Sequence, residues 1–236
     1  MTQRESSNEA GSSSTMGLLV LRALGALLSY PRQEMREALP EIVGVIRSSP
    51  LIVPRERDGL LVLIDVLGEG ELLAAEERYV DLFDRGRGAS LNLFEHLHGE
   101  GRDRGGAMVD LKRLYERNGF ELATVELPDY LPVVLEYLSC RDLEEAHALL
   151  ADCAHLMRRI GEALIARASP YAAVLQALLV IAGGKPIDAT SVPRARDRDE
   201  NLDRDWGEQP AFAGEPLSRA TNKSVADPPA STADST

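Results

Sequence analysis

Apolar residues along most of this chain recur at helical spacing. The clearest run is Asp142 to Ala168, where Leu143, Ala146, Leu149, Leu150, Cys153, Leu156, Met157, Ile160 and Leu164 fall at steps of three and four. At about 100° per residue such steps draw one stripe along a helix, so the pattern predicts a single long amphipathic helix there. Its two histidines, His147 and His155, fall away from that stripe, on the solvated side. Ser169 and Pro170 then open Tyr171 to Ala182, apolar all round and stopped by Gly183 and Gly184, a pattern suited to the centre of a bundle. Further helices are predicted over Gly17 to Ser29, Arg32 to Arg47 with a disturbance at Pro40, Arg55 to Leu67, Glu71 to Phe83, Ala107 to Asn118 and Asp129 to Ser139. No run alternates apolar and polar residues as a half-buried strand would. The expected fold is all-α, a single-domain helical bundle.

Both ends break the pattern. Residues 1–16 are Ser-rich, with no large apolar residue between Met1 and Met16, which could itself be a start. From Asp188 to Thr236 the composition turns to Pro, Asp, Arg, Ser and Thr with scattered Leu, Phe and Trp. Such segments bury too little to offset the entropy of ordering, so we expect disordered tails over 1–16 and 188–236 around a domain at 17–187.

The formal net charge is −12, with 38 acidic against 26 basic residues. The two tails account for −1 and −4, leaving −7 on the folded segment. An acidic domain lacks the basic face that displaces counterions from nucleic acid, so no nucleic-acid partner is expected. The apolar run from Gly17 to Leu28 is interrupted by Arg22 and is too short to span a bilayer. Two cysteines without CxxC spacing give no disulfide framework. A cytoplasmic protein without membrane insertion is expected.

The segment from Glu76 to Leu138 departs from helical filler. Gly86, Gly88, Gly99, Gly101, Gly105 and Gly106 divide it into short pieces, which suggests backbone shaped around a site. It carries YVDLFDRGR at Tyr79 to Arg87, SLNLFEHLHGE at Ser90 to Glu100, RDRGGAMVDL at Arg102 to Leu111 and ELPDYLPVVLEYL at Glu126 to Leu138. In these motifs, and in LLSYP at Leu27 to Pro31, the chain resembles the NarJ family, the assembly chaperones of respiratory nitrate reductase within the wider molybdoenzyme leader-peptide-binding group. It departs from the family's usual pattern at Tyr130, where many relatives have His, and at Gly101, where Ser is usual. The resemblance implies an all-helical, non-catalytic monomer with no stably bound cofactor. Its partner would be the apo catalytic (alpha) subunit of respiratory nitrate reductase, held through its N-terminal tail while metal centres and molybdenum cofactor are inserted. Transient contact with that cofactor, and with the proteins that make it, is also implied.

Candidate client-binding residues are Tyr79, Leu82, Phe83, Asp84, Phe94, Glu95, His96, His98, Pro128, Asp129 and Tyr130. Tyr79, Leu82 and Phe83 share a helix face at i, i+3 and i+4, which fits a groove wall and core packing equally well. Asp81 and Asp84 beside them would give a basic amphipathic tail an acidic rim. Arg85, Arg87, Arg102 and Arg104 form a basic island, candidate contacts for the cofactor's phosphate; forked pairs with neighbouring carboxylates explain them more simply. Asp129 before a helix could cap free N–H groups as well as meet a client cation. The alternative is a metal-dependent enzyme built on Glu95, His96, His98 and Asp103. Residues i and i+2 point about 200° apart on a helix, so His96 and His98 converge only on extended chain, and HExxH is absent.

Overall fold

The structure is a computed structural model that describes residues 18–85, 87–97, 102–122 and 126–194, apart from the side chains of Arg87, Arg102 and Asp103. The described residues form an all-α fold without strands. Helix α1 covers 18–28, followed by α2 (Gln33–Ser48), α3 (Pro54–Gly68), α4 (Leu72–Phe83), α5 (Arg102–Arg117), α6 (Leu131–Ser139), α7 (Leu143–Asp152), α8 (Ala154–Ala166) and α9 (Ala172–Ile181). Two short 3-10 turns, Arg87–Ala89 and Leu93–His96, occupy the glycine-interrupted stretch between α4 and α5.

One continuous core holds the bundle together. Helix α9 sits at its centre, with Val174, Leu175, Ala177, Leu178 and Leu179 almost wholly buried, as an all-round apolar helix requires. It packs on α8 and α3. Helix α1 lies close to α6 because Gly25 has no side chain: a Cβ there would stand 3.2 Å from the Pro132 carbonyl oxygen and 3.3 Å from Leu135 Cβ. Helices α2 and α3 are joined at their open ends by Arg36. Its Nε donates to the Leu67 carbonyl at 2.9 Å, Nη1 to Gly70 at 3.0 Å and Nη2 to Glu69 at 2.9 Å, satisfying carbonyls that the end of α3 leaves without intrahelical donors.

Several sequence expectations need correction. The stripe from Asp142 to Ala168 is two helices, with Cys153 ending α7 and preceding α8. Helix α2 runs through Pro40 without interruption, the proline being exposed on its surface. Helix α5 begins at Arg102 and includes Gly105 and Gly106, which read as breakers in the sequence. At the C-terminal side the placed chain continues past Ile187 to residue 194. Ile187 is buried and held by two bonds with Gln176, its N–H to Oε1 at 2.7 Å and its carbonyl from Nε2 at 3.0 Å. Asp188, assigned to the tail by composition, caps the turn Ala189–Ser191. The expected disordered stretches at 1–16 and beyond 194 lie outside the described residues. Among those described, no helix is long and apolar enough to cross a membrane.

Candidate functional site

Helix α4 is amphipathic in a way that splits the candidate residues. Tyr79 and Phe83 turn inward, 4% and 6% exposed, into an aromatic cluster with Tyr171 and the half-open Tyr30. Leu82 is half-buried and Asp84 is exposed. The adjoining face of the same helix carries Leu73, Glu76, Glu77 and Val80 at i, i+3, i+4 and i+7. With Tyr30, Asp81 and Arg85 they line a surface groove of about 380 Å³. Leu73 is 64% exposed there, beside Glu76 and Glu77. Burial first, and then the carboxylate of Glu76, raise the Tyr30 hydroxyl above its ordinary pKa. The groove thus sets the apolar side chains of Tyr30, Leu73 and Val80 alongside the acids Glu76, Glu77 and Asp81.

Behind this groove runs a short hydrogen-bond chain. Tyr79 donates its hydroxyl to the Leu28 carbonyl at 2.8 Å, which leaves its oxygen to accept from the Tyr130 hydroxyl, also at 2.8 Å. Burial raises the pKa of both tyrosines above its ordinary value, so both are neutral at neutral pH.

Tyr130 belongs to a turn stitched to the loop before α5. Leu93 N–H donates to the Asp129 carbonyl at 3.0 Å and Leu131 N–H to the Leu91 carbonyl at 2.9 Å, around an isolated antiparallel bridge between Asn92 and Tyr130. Asp129 is completely buried, 0% exposed, and its Oδ2 accepts the Phe94 N–H at 2.9 Å. It therefore caps an N–H group, as the sequence suggested, but on the turn Leu93–His96 and not on α6, whose N-cap residue Tyr130 makes no side-chain cap bond. Burial raises the Asp129 carboxyl pKa, opposed by the Phe94 N–H and the Arg104 charge. On the far side of the turn the Tyr115 hydroxyl donates to the Pro128 carbonyl at 2.8 Å.

The remaining candidates divide between loop closure and surface. His96 is buried, its Nε2 2.7 Å from the Ser90 carbonyl, while its own carbonyl accepts from Arg159 at 2.8 Å. Phe94 and Pro128 are half-buried and Glu95 is exposed. Arg104 pairs with Glu95 at 3.5 Å, and Arg85 pairs with Asp81, both at the surface. Two members of the basic island are thus engaged by neighbouring carboxylates; Arg87 and Arg102 have side chains outside the described residues. His98 and the side chain of Asp103, two of the four residues of the metal-enzyme alternative, also lie outside them. Among the described residues no three His, Cys, Asp or Glu side chains gather into a metal site. The sequence reading missed Tyr30, Leu73, Glu76, Glu77 and Val80; the available signal was the i, i+3, i+4 and i+7 spacing of Leu73, Glu76, Glu77 and Val80 within ELLAAEERYV at Glu71 to Val80.

Comparison with known proteins gives a consistent result. The family model for the nitrate reductase delta subunit matches residues 52–177. The chain is 37% identical over 198 residues to the nitrate reductase molybdenum cofactor assembly chaperone NarJ of Escherichia coli (strain K12), covering 81% of this chain and 84% of that one. It is 36% identical to the probable assembly chaperone NarW of the same organism, covering 80% and 81%. With the probable NarJ of Bacillus subtilis it shares 33% identity, covering 68% of this chain and 86% of the relative. Residues 52–177 take in α4 and the Asp129 turn, and on that footing the chain belongs to the nitrate reductase delta subunit family.

Proposed function

We propose that the protein is a system-specific chaperone that binds the N-terminal tail of the apo catalytic subunit of a respiratory nitrate reductase in the cytoplasm. It would keep that subunit competent for metal-centre and molybdenum cofactor insertion before membrane attachment. The observation that carries this reading is the groove on α4, where exposed Leu73 and half-buried Val80 lie with Tyr30 among Glu76, Glu77 and Asp81. An amphipathic helix or extended tail with basic residues fits such a surface, the apolar side against the apolar side chains and the cations against the acids. Asp84 adds its charge near Tyr30, and Tyr79, backed by Phe83, packs against the Tyr30 ring from within. The names of the relatives, which are assembly chaperones of nitrate reductase, support the same client. Molybdenum cofactor would pass through the complex as cargo delivered to the client, with Arg85, Arg87, Arg102 and Arg104 the residues to test for contact.

Calorimetric titration of a synthetic peptide spanning the catalytic subunit's N-terminal tail tests the reading. Leu73→Ser should leave the thermal melt unchanged, since an exposed side chain contributes within about 0.5 kcal/mol to stability. The same change should weaken peptide binding by about 1 to 2 kcal/mol. Unaltered affinity in a folded Leu73→Ser protein would remove α4 as the binding surface.

A further inference from the structure

We infer that Asp129 is a positioning residue for the client groove: its buried carboxylate fastens the loop before α5 to the 128–131 turn and so holds Tyr130 against Tyr79. The inference rests on the client-binding reading above and assigns a part within it to a residue the client does not touch.

Three observations carry it. Asp129 is 0% exposed, so no client group reaches its carboxylate in this conformation. Oδ2 is occupied by the Phe94 N–H, while Oδ1 is buried without a hydrogen-bond partner among the described residues. A carboxylate in that state is unfavourable by itself, because buried acceptors and charges lose their hydration. What it gains is placement. Residues 128 to 131 are fixed at four consecutive points: Pro128 by Tyr115, Asp129 by Leu93 and Phe94, Tyr130 by Tyr79, and Leu131 by Leu91. Only the third of these leads to the groove, since Tyr79 packs edge-on against Tyr30, ring centroids 5.5 Å apart, and binds the last carbonyl of α1 at Leu28, two residues before it. Asp129 is thus the anchor from which the Tyr130 ring is directed.

A direct ion pair with the client predicts a different pattern. There the charge of Asp129 would matter and its hydrogen-bond acceptor would not. An anchoring role reverses this, because asparagine keeps an acceptor for the Phe94 N–H and alanine does not.

The test uses the full chain and a synthetic peptide of the catalytic subunit's N-terminal tail. Affinity is measured by calorimetry, and the Phe94 amide is followed by hydrogen exchange. Asp129→Ala should bind about tenfold more weakly, which corresponds to roughly one lost hydrogen bond, and its Phe94 amide should exchange faster. Asp129→Asn should recover most of the affinity and the protection. The double variant Asp129→Ala with Tyr130→Phe should be no weaker than Asp129→Ala alone, since both changes release the same ring. If asparagine binds as weakly as alanine, the residue acts by charge and the inference is overturned; additive losses in the double variant overturn it equally. Should the alanine variant not fold, the asparagine and Tyr130→Phe proteins decide: asparagine near wild type with a weakened Tyr130→Phe supports anchoring, and the reverse order overturns it. A wild-type chain that does not bind the peptide at all defeats the client reading, and this inference with it, before any variant is made.

Discussion

Tyr79 and Tyr130 meet hydroxyl to hydroxyl at 2.8 Å, and because Tyr79 spends its proton on the Leu28 carbonyl, Tyr130 is the donor of the pair. Tyr130→Phe therefore removes one bond and leaves the Tyr79 to Leu28 bond intact. The expected loss is about 0.5 to 1.5 kcal/mol of stability. Tyr79→Phe removes both bonds and strands the Leu28 carbonyl, so it should cost more. Urea unfolding of the two variants checks the order; equal losses would show that Tyr79 does not bridge.

Alkaline pH should unfold the protein in a tyrosine-dependent way. Burial raises the pKa of Tyr79, Tyr115 and Tyr171, with neighbouring tyrosines adding to the effect at Tyr79 and Tyr115. The unfolded chain would ionise these groups near pH about 10. Above that pH the unfolded state binds fewer protons than the folded one, so stability is full below about pH 10 and falls as pH rises. Each such tyrosine contributes a slope of up to about 1.4 kcal/mol per pH unit. Tyr171→Phe should flatten the fall, measured by urea midpoints at pH 8 and above pH 10.

Gly161 and Ile187 form a tight pair between α8 and the chain after α9. A Cβ on Gly161 would stand 2.5 Å from Ile187 Cδ1 and 3.3 Å from Leu175 Cβ. Gly161→Ala should cost about 1 to 3 kcal/mol through overpacking. In an Ile187→Val background, where Cδ1 is gone, the same change should cost less. A double-mutant cycle from thermal melts tests this, additivity being the outcome that refutes the clash.

Client binding should be steered by charge. The folded segment is acidic and the groove carries Glu76, Glu77 and Asp81. Added salt should slow association more than it speeds dissociation, because screening acts over a Debye length of about 10 Å at 0.1 M. Stopped-flow mixing with the tail peptide measures both rates. A salt effect confined to dissociation would place the charges in the bound contact and remove the steering.

Helix positions were legible because burial imposes a period that the sequence records, and α3, α4 and α9 came within a residue or so of their observed limits. Periodicity does not record a single-residue break: at Cys153 the backbone stays near helical values, φ −85° and ψ −2°, and the apolar stripe continues across it. Nor does it say which side of an amphipathic helix is covered. Tyr79 and Phe83 were the obvious apolar face and became the support, while the groove needed Tyr30 from a distant segment. Asp129 looked like a cap for the helix that follows it; its partner lies at Phe94, 35 positions earlier in the chain, beyond any local rule.

Helix α3 has no basic residue in its own last turn. Its closing charge comes from Arg36, one helix earlier and 31 positions away from the first carbonyl it binds. The end of α3 is therefore written into α2, and neither helix can fray there without unmaking the other's terminus. The pair should open as one cooperative unit in native-state hydrogen exchange, the amides around Arg36 and those of the last turn of α3 sharing a single opening free energy. Lysine at position 36 would supply the charge but only a single point of attachment for three carbonyls, and the two protection levels should then separate.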